Sequence, residues 1–361
     1  MASIIVLGSG MVGGAIALDL AGKHTIIATD FSPLALKKFD DVDGLHTLQL
    51  DVTDQKALRA AVSDVDLVVN AVPGFLGYEV LKTLIEEGKN VSDISFFPEE
   101  ALDLHDLAVE TGSVVVTDIG VAPGLSNLIF GHHDSSMTVK RFKCLVGGLP
   151  KHPKPPWFYK APFSPVDVIE EYLRPARFVE DGVEVVRPAL SEPELVDFET
   201  VGTLEAFNTD GLRSLLRTMK HVPDMVEKTL RYPGHRELAL QLREGGISSE
   251  DVAEVLTQWK LEPNEEEFTV MRVSVSGQQD GQPAAYVWDL YDEFDPESGF
   301  SSMSRTTGFT CAAMAECILE GTWQVPGVSP GEIVGREELV FNKVLDYLRV
   351  RGVSAKSIKV N

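Results

Sequence analysis

The chain has 361 residues, with 55 Asp and Glu against 32 Lys and Arg and a formal net charge of -23. At roughly 150 residues per domain that length means two domains or one large one, and 44% hydrophobic residues exclude wholesale disorder. No apolar run reaches the ~18 residues that span a bilayer, and the acidic excess argues against a nucleic-acid partner, whose phosphates need a basic face.

The opening S-I-I-V-L is an apolar, β-branched run with the length of a buried strand. No basic stretch precedes it, so it does not read as a signal peptide. It runs into G-S-G-M-V-G-G, which sets Gly8, Gly10 and Gly13 in G-x-G-x-x-G spacing, and then into A-I-A-L-D-L-A, a helix. Strand, turn and helix in that order give the motif its meaning. Gly8 permits the tight turn, Gly10 lets the backbone approach a pyrophosphate, and Gly13 lets helix and strand pack closely. Met11 and Val12 then open a helix whose amides face the phosphates. A second strand, H-T-I-I-A-T, ends at Asp30, about where such a fold places the acid that accepts hydrogen bonds from the adenosine ribose. A carboxylate there repels a 2′-phosphate, and Phe31, Ser32 and Pro33 follow rather than an arginine, so the cofactor expected is NAD.

The alternation of strand and helix continues. L-H-T-L-Q-L leads to Asp51 and Val52, a loop expected beside the adenine, and 54–61 reads as a helix. D-L-V-V-N-A-V-P-G is a fourth strand whose loop, Asn70, Ala71, Val72, Pro73 and Gly74, is expected to line the cofactor crevice. N-V-S-D-I-S and S-V-V-V-T-D-I-G are further strands that bring Asp93 and Asp118 to the same end. The fold class is therefore α/β, with an N-terminal doubly wound parallel sheet of the Rossmann type.

After Gly120 the pattern changes. V-A-P-G-L-S-N-L-I-F opens a helix and marks a domain junction near residue 124. R-F-K-C-L-V-G-G-L-P reads as a strand running into a loop, P-K-H-P-K-P-P-W as an exposed irregular segment, and P-V-D-V-I-E-E-Y as an amphipathic helix. E-F-T-V-M-R-V-S-V-S and A-A-Y-V-W-D-L-Y-D form an antiparallel hairpin with a longer turn at Q-Q-D-G-Q. Residues 125–305 thus read as an α+β domain with a sheet of its own, followed by a final long helix over T-T-G-F-T-C-A-A-M-A-E-C-I-L-E. Cys144, Cys311 and Cys317 match no metal or redox spacing and read as buried thiols, which fits a reducing cytoplasm. His132-His133-Asp134 lacks metal-site partners and reads as a solvated loop.

Several separated blocks carry a family resemblance. They are G-S-G-M-V-G, D-I-G-V-A-P-G-L-S-N, G-G-L-P, L-E-A-F-N-T-D-G-L, T-L-R-Y-P-G-H and R-T-T-G-F, in that order over nearly the whole chain. In these the chain resembles the saccharopine dehydrogenase superfamily, and most of all its L-lysine 6-dehydrogenase branch. The resemblance implies a Rossmann domain of 1–124 completed by 306–361. It also implies an inserted catalytic and oligomerisation domain of 125–305 with a mixed sheet, and homodimers or larger homo-oligomers. The implied reaction is NAD-dependent oxidative deamination of the lysine ε-amine to the semialdehyde, which cyclises, with release of ammonia. The chain departs from the saccharopine reductases, which carry D-P-G-x-D-H where it has Ala122 and Ser126-Asn127, and from the lysine branch in having Asn208 before T-D-G. Relatives that condense an amine with a carbonyl share T-L-R-Y-P-G-H, so a related reductive condensation stays open. So does a dinucleotide-binding sensor without catalysis, since fold does not give function.

The resemblance makes Arg231 the partner of the substrate carboxylate, a role that suits a planar guanidinium. Tyr232 and His235 share its block, and His235 is a candidate proton carrier. Thr209 and Asp210 are candidates for the substrate α-amino group, with good turn chemistry as the plainer reading. Asp93 or Asp118 is placed to orient the ε-amine. Lys160, next to Tyr159 after the proline-rich segment, is a candidate base if its pocket is dry. Trp157 and Phe158 either close over the aliphatic chain of the substrate or belong to the core.

Overall fold

The computed structural model describes residues 1–244, 249–262 and 264–360. Its strands are, in chain order, β1 (Ser3–Leu7), β2 (Thr25–Asp30), β3 (Leu45–Gln49), β4 (Leu67–Asn70), β5 (Val91–Asp93), β6 (Val114–Thr117), β7 (Thr138–Pro150), β8 (Ala176–Glu180), β9 (Val183–Arg187), β10 (Glu194–Phe198), β11 (Gly202–Asn208), β12 (Asp224–Arg231), β13 (Glu267–Gln279), β14 (Gln282–Glu293), β15 (Gly327–Pro330) and β16 (Ala355–Val360). The chain divides into two units, 1–132 with 304–352, and 133–303 with the tail from Val353.

In the first unit seven strands form one parallel sheet in the order β3-β2-β1-β4-β5-β6-β15. The chain switches direction across the sheet between β1 and β4, where a doubly wound sheet opens a crevice beyond its strand ends. β1, β4 and β6 are near-continuous apolar runs because both faces of such a sheet are covered; Ile4, Ile5, Leu7, Val68 and Val115 are wholly buried. On one face Leu58 and Val62 of helix Gln55–Val62 and Leu81 and Leu84 of helix Gly74–Glu86 pack on Ile5, Val68 and Val115. Asp54 starts the first of these helices by accepting from the amides of Lys56 and Ala57.

The second unit holds a mixed sheet in the order β10-β11-β12-β7-β13-β14-β16, with β8 pairing β12 and β9. Only β12 and β7 run parallel; the other pairs are antiparallel. Its core gathers Leu145, Phe207, Leu230, Trp259 and Phe268.

Several expectations need correction. G-G-L-P is no loop: β7 continues to Pro150 because β13 pairs with it to the end. The hairpin turn is tight rather than long, with Asp280 and Gly281 at φ 53° and 75° between β13 and β14. Two successive positive φ angles match strand twist, and Asp-Gly is well suited to them. The long helix Ser302–Leu319 is not the last element; helix Glu338–Val350 follows. The tail does not all complete the first unit, since β16 pairs with β14 in the second unit's sheet. The junction lies at 132 rather than near 124, because helix Leu125–Asp134 packs tightly on 331–335. A Cβ on Gly131 would overlap the Glu332 carbonyl, and one on Gly335 the Leu128 carbonyl. His132 and His133 end that helix and are no solvated loop. His132 stacks on Phe341, and His133 accepts from the Trp288 indole at 2.8 Å. All three cysteines are buried and form no disulfide.

Candidate active site

The first unit builds a phosphate cradle. Gly8 sits at φ 89°, and a Cβ there would lie 2.9 Å from the Ala71 carbonyl carbon. A Cβ on Gly13 would fall on the Gly8 carbonyl oxygen, so β1 and helix Met11–Ala21 approach as closely as backbones can. Gly10 is different: a Cβ there meets nothing within 4 Å, so its side of the loop is open. Met11 is exposed and Val12 partly so, at the start of the helix. Asp30 ties the loop to β2, with one carboxylate oxygen accepting from the Ser9 amide at 2.9 Å and the other from Ser32 at 2.8 Å. Each oxygen keeps a second lone pair for a ribose hydroxyl.

Asp51, two residues past β3, is exposed, and hydrogen bonds from the Thr53 hydroxyl and amide hold its carboxyl below the usual range. Val52 is half-buried beside it. Ala71 and Val72 carry the chain from β4 to Pro73, which caps helix Gly74–Glu86; Val72 and Gly74 are buried and Pro73 exposed. Gly74 is required because a Cβ would overlap the Phe96 carbonyl. Asn70 points inward: its amide donates to Asp93 at 2.6 Å, and its Oδ1, fully buried, has no partner among the described residues. Asp93, fully buried, also accepts from the Ser95 amide at 2.8 Å. Burial, more than the nearby Asp118 charge, pushes its carboxyl up to about 8. Asp118 is buried at φ 53° just past β6.

The second unit gathers an aromatic cluster around Arg231, the last residue of β12. Its Nε donates to the Tyr172 hydroxyl at 2.8 Å, one Nη donates to the Leu230 carbonyl at 2.9 Å, and the other lies 3.8 Å from Glu171. The guanidinium sits 4.4 Å from the centre of the Tyr159 ring, a cation–π contact. Burial pushes the Tyr159 phenol up to about 12, so it stays a hydrogen-bond donor, yet its buried hydroxyl has no partner among the described residues. Among the same residues the buried Trp259 indole N–H also has none. Glu171 takes the Thr229 hydroxyl, which pairs with Thr209 at 2.9 Å.

Other expected site residues lie elsewhere or are already engaged. His235 is no proton carrier: its Nδ1 pairs with the Trp157 carbonyl at 2.9 Å and its Nε2 with the Tyr172 hydroxyl at 3.0 Å. Burial and the Arg231 charge hold it down at about 3, so it stays neutral. Lys160 is in no dry pocket; its ammonium donates to the Lys260 carbonyl at an exposed position. Asp210 is held by Arg177 through two bonds of 2.9 Å, one to each carboxylate oxygen. Tyr232 anchors the fold by donating to the Pro150 carbonyl at 3.0 Å. Trp157 belongs to the cluster, edge-on to Trp259 at 5.4 Å. Glu171, Tyr172 and Trp259 escaped the sequence reading. Their only signal was the E-E-Y ending of an amphipathic helix, Pro165–Leu173, and a tryptophan that chain order does not connect to Arg231.

Comparison with known proteins follows the same division. Residues 4–116 match the family model described as the saccharopine dehydrogenase NADP binding domain, and residues 120–353 the one described as the saccharopine dehydrogenase C-terminal domain. The chain is 28% identical over 272 residues to saccharopine dehydrogenase (NADP+, L-glutamate-forming) of Schizosaccharomyces pombe, covering 71% of this chain and 60% of that protein. It therefore spans about 60% of that relative's length. The fold is similar to that of apo saccharopine dehydrogenase (L-Glu forming) from Saccharomyces cerevisiae, with a TM-score of 0.79, 19% identity and 100% coverage of both chains. It is also similar to homospermidine synthase of Legionella pneumophila in complex with NAD, with a TM-score of 0.70, 14% identity and coverage of 99% and 91%.

Proposed function

The chain belongs to the saccharopine dehydrogenase family, and from that premise we propose that it oxidises the ε-amine of L-lysine with NAD to an iminium, which water then hydrolyses to the semialdehyde and ammonia. The observation that carries this reading is the Arg231 cluster. One buried guanidinium, an unpartnered phenol hydroxyl on Tyr159 and the Glu171 carboxylate stand together. An amino-acid zwitterion asks for that set: donors for its carboxylate and an acceptor for its α-ammonium. Glu171 takes the role expected of Asp210. With both charged groups held at one end, the aliphatic arm is oriented and the ε-nitrogen becomes the free, reacting end.

The cradle fits a dinucleotide. Gly8 and Gly13 give the close backbone approach, the Gly10 side is open, and Asp30 offers lone pairs where a 2′-phosphate would be repelled. When bound, the nicotinamide supplies a hydride acceptor. The ε-amine must first lose a proton, since an ammonium has no lone pair to drive hydride loss.

A saccharopine-type reaction is the second reading, favoured by the names of the curated relatives. Against it stands Asn127, in the position where saccharopine reductases carry the histidine of D-H. It is buried, donates to Glu332 at 2.9 Å and accepts from Ser126, which makes a structural lock of this block. The test is reduced-cofactor formation with NAD and L-lysine, beside NADP and saccharopine controls. Lysine turnover that prefers NAD supports the proposal; turnover of saccharopine instead of lysine overturns it.

A further inference from the structure

Lys38 lies in the short 3-10 turn Lys37–Phe39 between β2 and β3, and its neighbour Phe39 is buried. Its side chain reaches back under the glycine loop, and its ammonium donates to two successive loop carbonyls, Ser9 at 2.7 Å and Gly10 at 2.9 Å. A trans peptide points its N–H opposite to its C=O. Holding the Ser9 and Gly10 carbonyls toward Lys38 therefore aims the N–H groups of Gly10 and Met11 the other way. The Gly10 carbonyl also accepts from the Gly14 amide at 3.0 Å, and a Cβ on Gly10 would meet nothing within 4 Å. The Ser9 amide is fixed as well, by Asp30.

A second observation points to the same lysine. Gly14 lies outside the three-glycine spacing and needs no unusual backbone angle. Its Cβ would overlap the Lys38 ammonium and lie 2.8 Å from its Cε, while the nearest other atom, on Phe39, is 3.8 Å away. The fourth glycine of G-S-G-M-V-G-G thus makes room for Lys38.

We propose that Lys38 is a positioning residue of the dinucleotide site, turning the glycine-loop amides toward the cofactor pyrophosphate and placing a cation beneath it. The proposal rests on the cofactor reading above. Equilibrium titration with NADH, followed by nucleotide fluorescence, tests both separately. No saturable binding of NADH or NADPH to the wild-type protein would remove the cofactor reading itself. Lys38→Met keeps the aliphatic stem and loses the charge-assisted donors; it is expected to weaken NADH binding about tenfold. Gly14→Ala should weaken binding as well, by pushing the ammonium aside. In the double variant Gly14→Ala/Lys38→Ala the methyl group should add nothing to the loss seen with Lys38→Ala alone. Melting curves without nucleotide check that each variant is folded. Wild-type affinity in Lys38→Met, or independent and additive losses in the Gly14 and Lys38 variants, would overturn the proposal.

Discussion

Packed against Trp157, Tyr159, Tyr172 and Trp259, the His235 ring is wholly buried, and burial together with the Arg231 charge holds its pKa down at about 3. Its ordinary value is 6.5, so between those limits the unfolded chain binds a proton that the folded chain refuses. The stability this residue contributes is complete above pH 6.5 and is lost as pH falls below it, by up to ~1.4 kcal/mol per pH unit. His235→Gln should therefore melt at a lower temperature at pH 7 but lose less on acidification from pH 7 to 5. Parallel wild-type and variant curves over that range would show that His235 does not set the acid limit. The same cluster shows what a residue name leaves unsaid. Arg231 was legible through its sequence block, whereas whether His235, Lys160 and Asp210 were free to react depended on partners far along the chain.

The glycine loop between β1 and helix Met11–Ala21 was legible because its spacing answers to backbone contact, and two of its glycines make opposite predictions. A methyl group on Gly13 falls on the Gly8 carbonyl and reaches within 3.1 Å of the Ala71 side chain. Gly13→Ala should thus cost both stability, about 1–3 kcal/mol as overpacking, and NADH affinity. Gly10 has φ -66° and open space around it, so Gly10→Ala should leave the melting temperature unchanged and still weaken NADH binding by occupying the phosphate side. Equal melting losses in the two variants would contradict this division. The strands of the first unit were readable as apolar runs, but β15 was not. Its four residues, G-V-S-P, are too short to show a period, and proline fits there because the strand lies at the sheet edge. β16, A-K-S-I-K-V, is largely exposed and gave no apolar signal either; its pairing with β14 makes it a strand.

At the scale of the whole molecule, family membership rests on two matches that together cover residues 4–116 and 120–353. The two-domain plan followed from sequence pattern together with resemblance, but the tail's division between the units did not, because nothing local in 353–360 tells it which sheet to join. The central claim is chemical: the nitrogen lost is the ε-nitrogen of lysine, the end left free when the α-carboxylate and α-ammonium are held by Arg231, Tyr159 and Glu171. Its most direct test is to supply lysine labelled with heavy nitrogen at the ε position, with NAD, and to follow the label against NADH formed. One labelled ammonia is expected for each NADH. Ammonia without label, or NADH formed with the label still bonded to carbon, would contradict it.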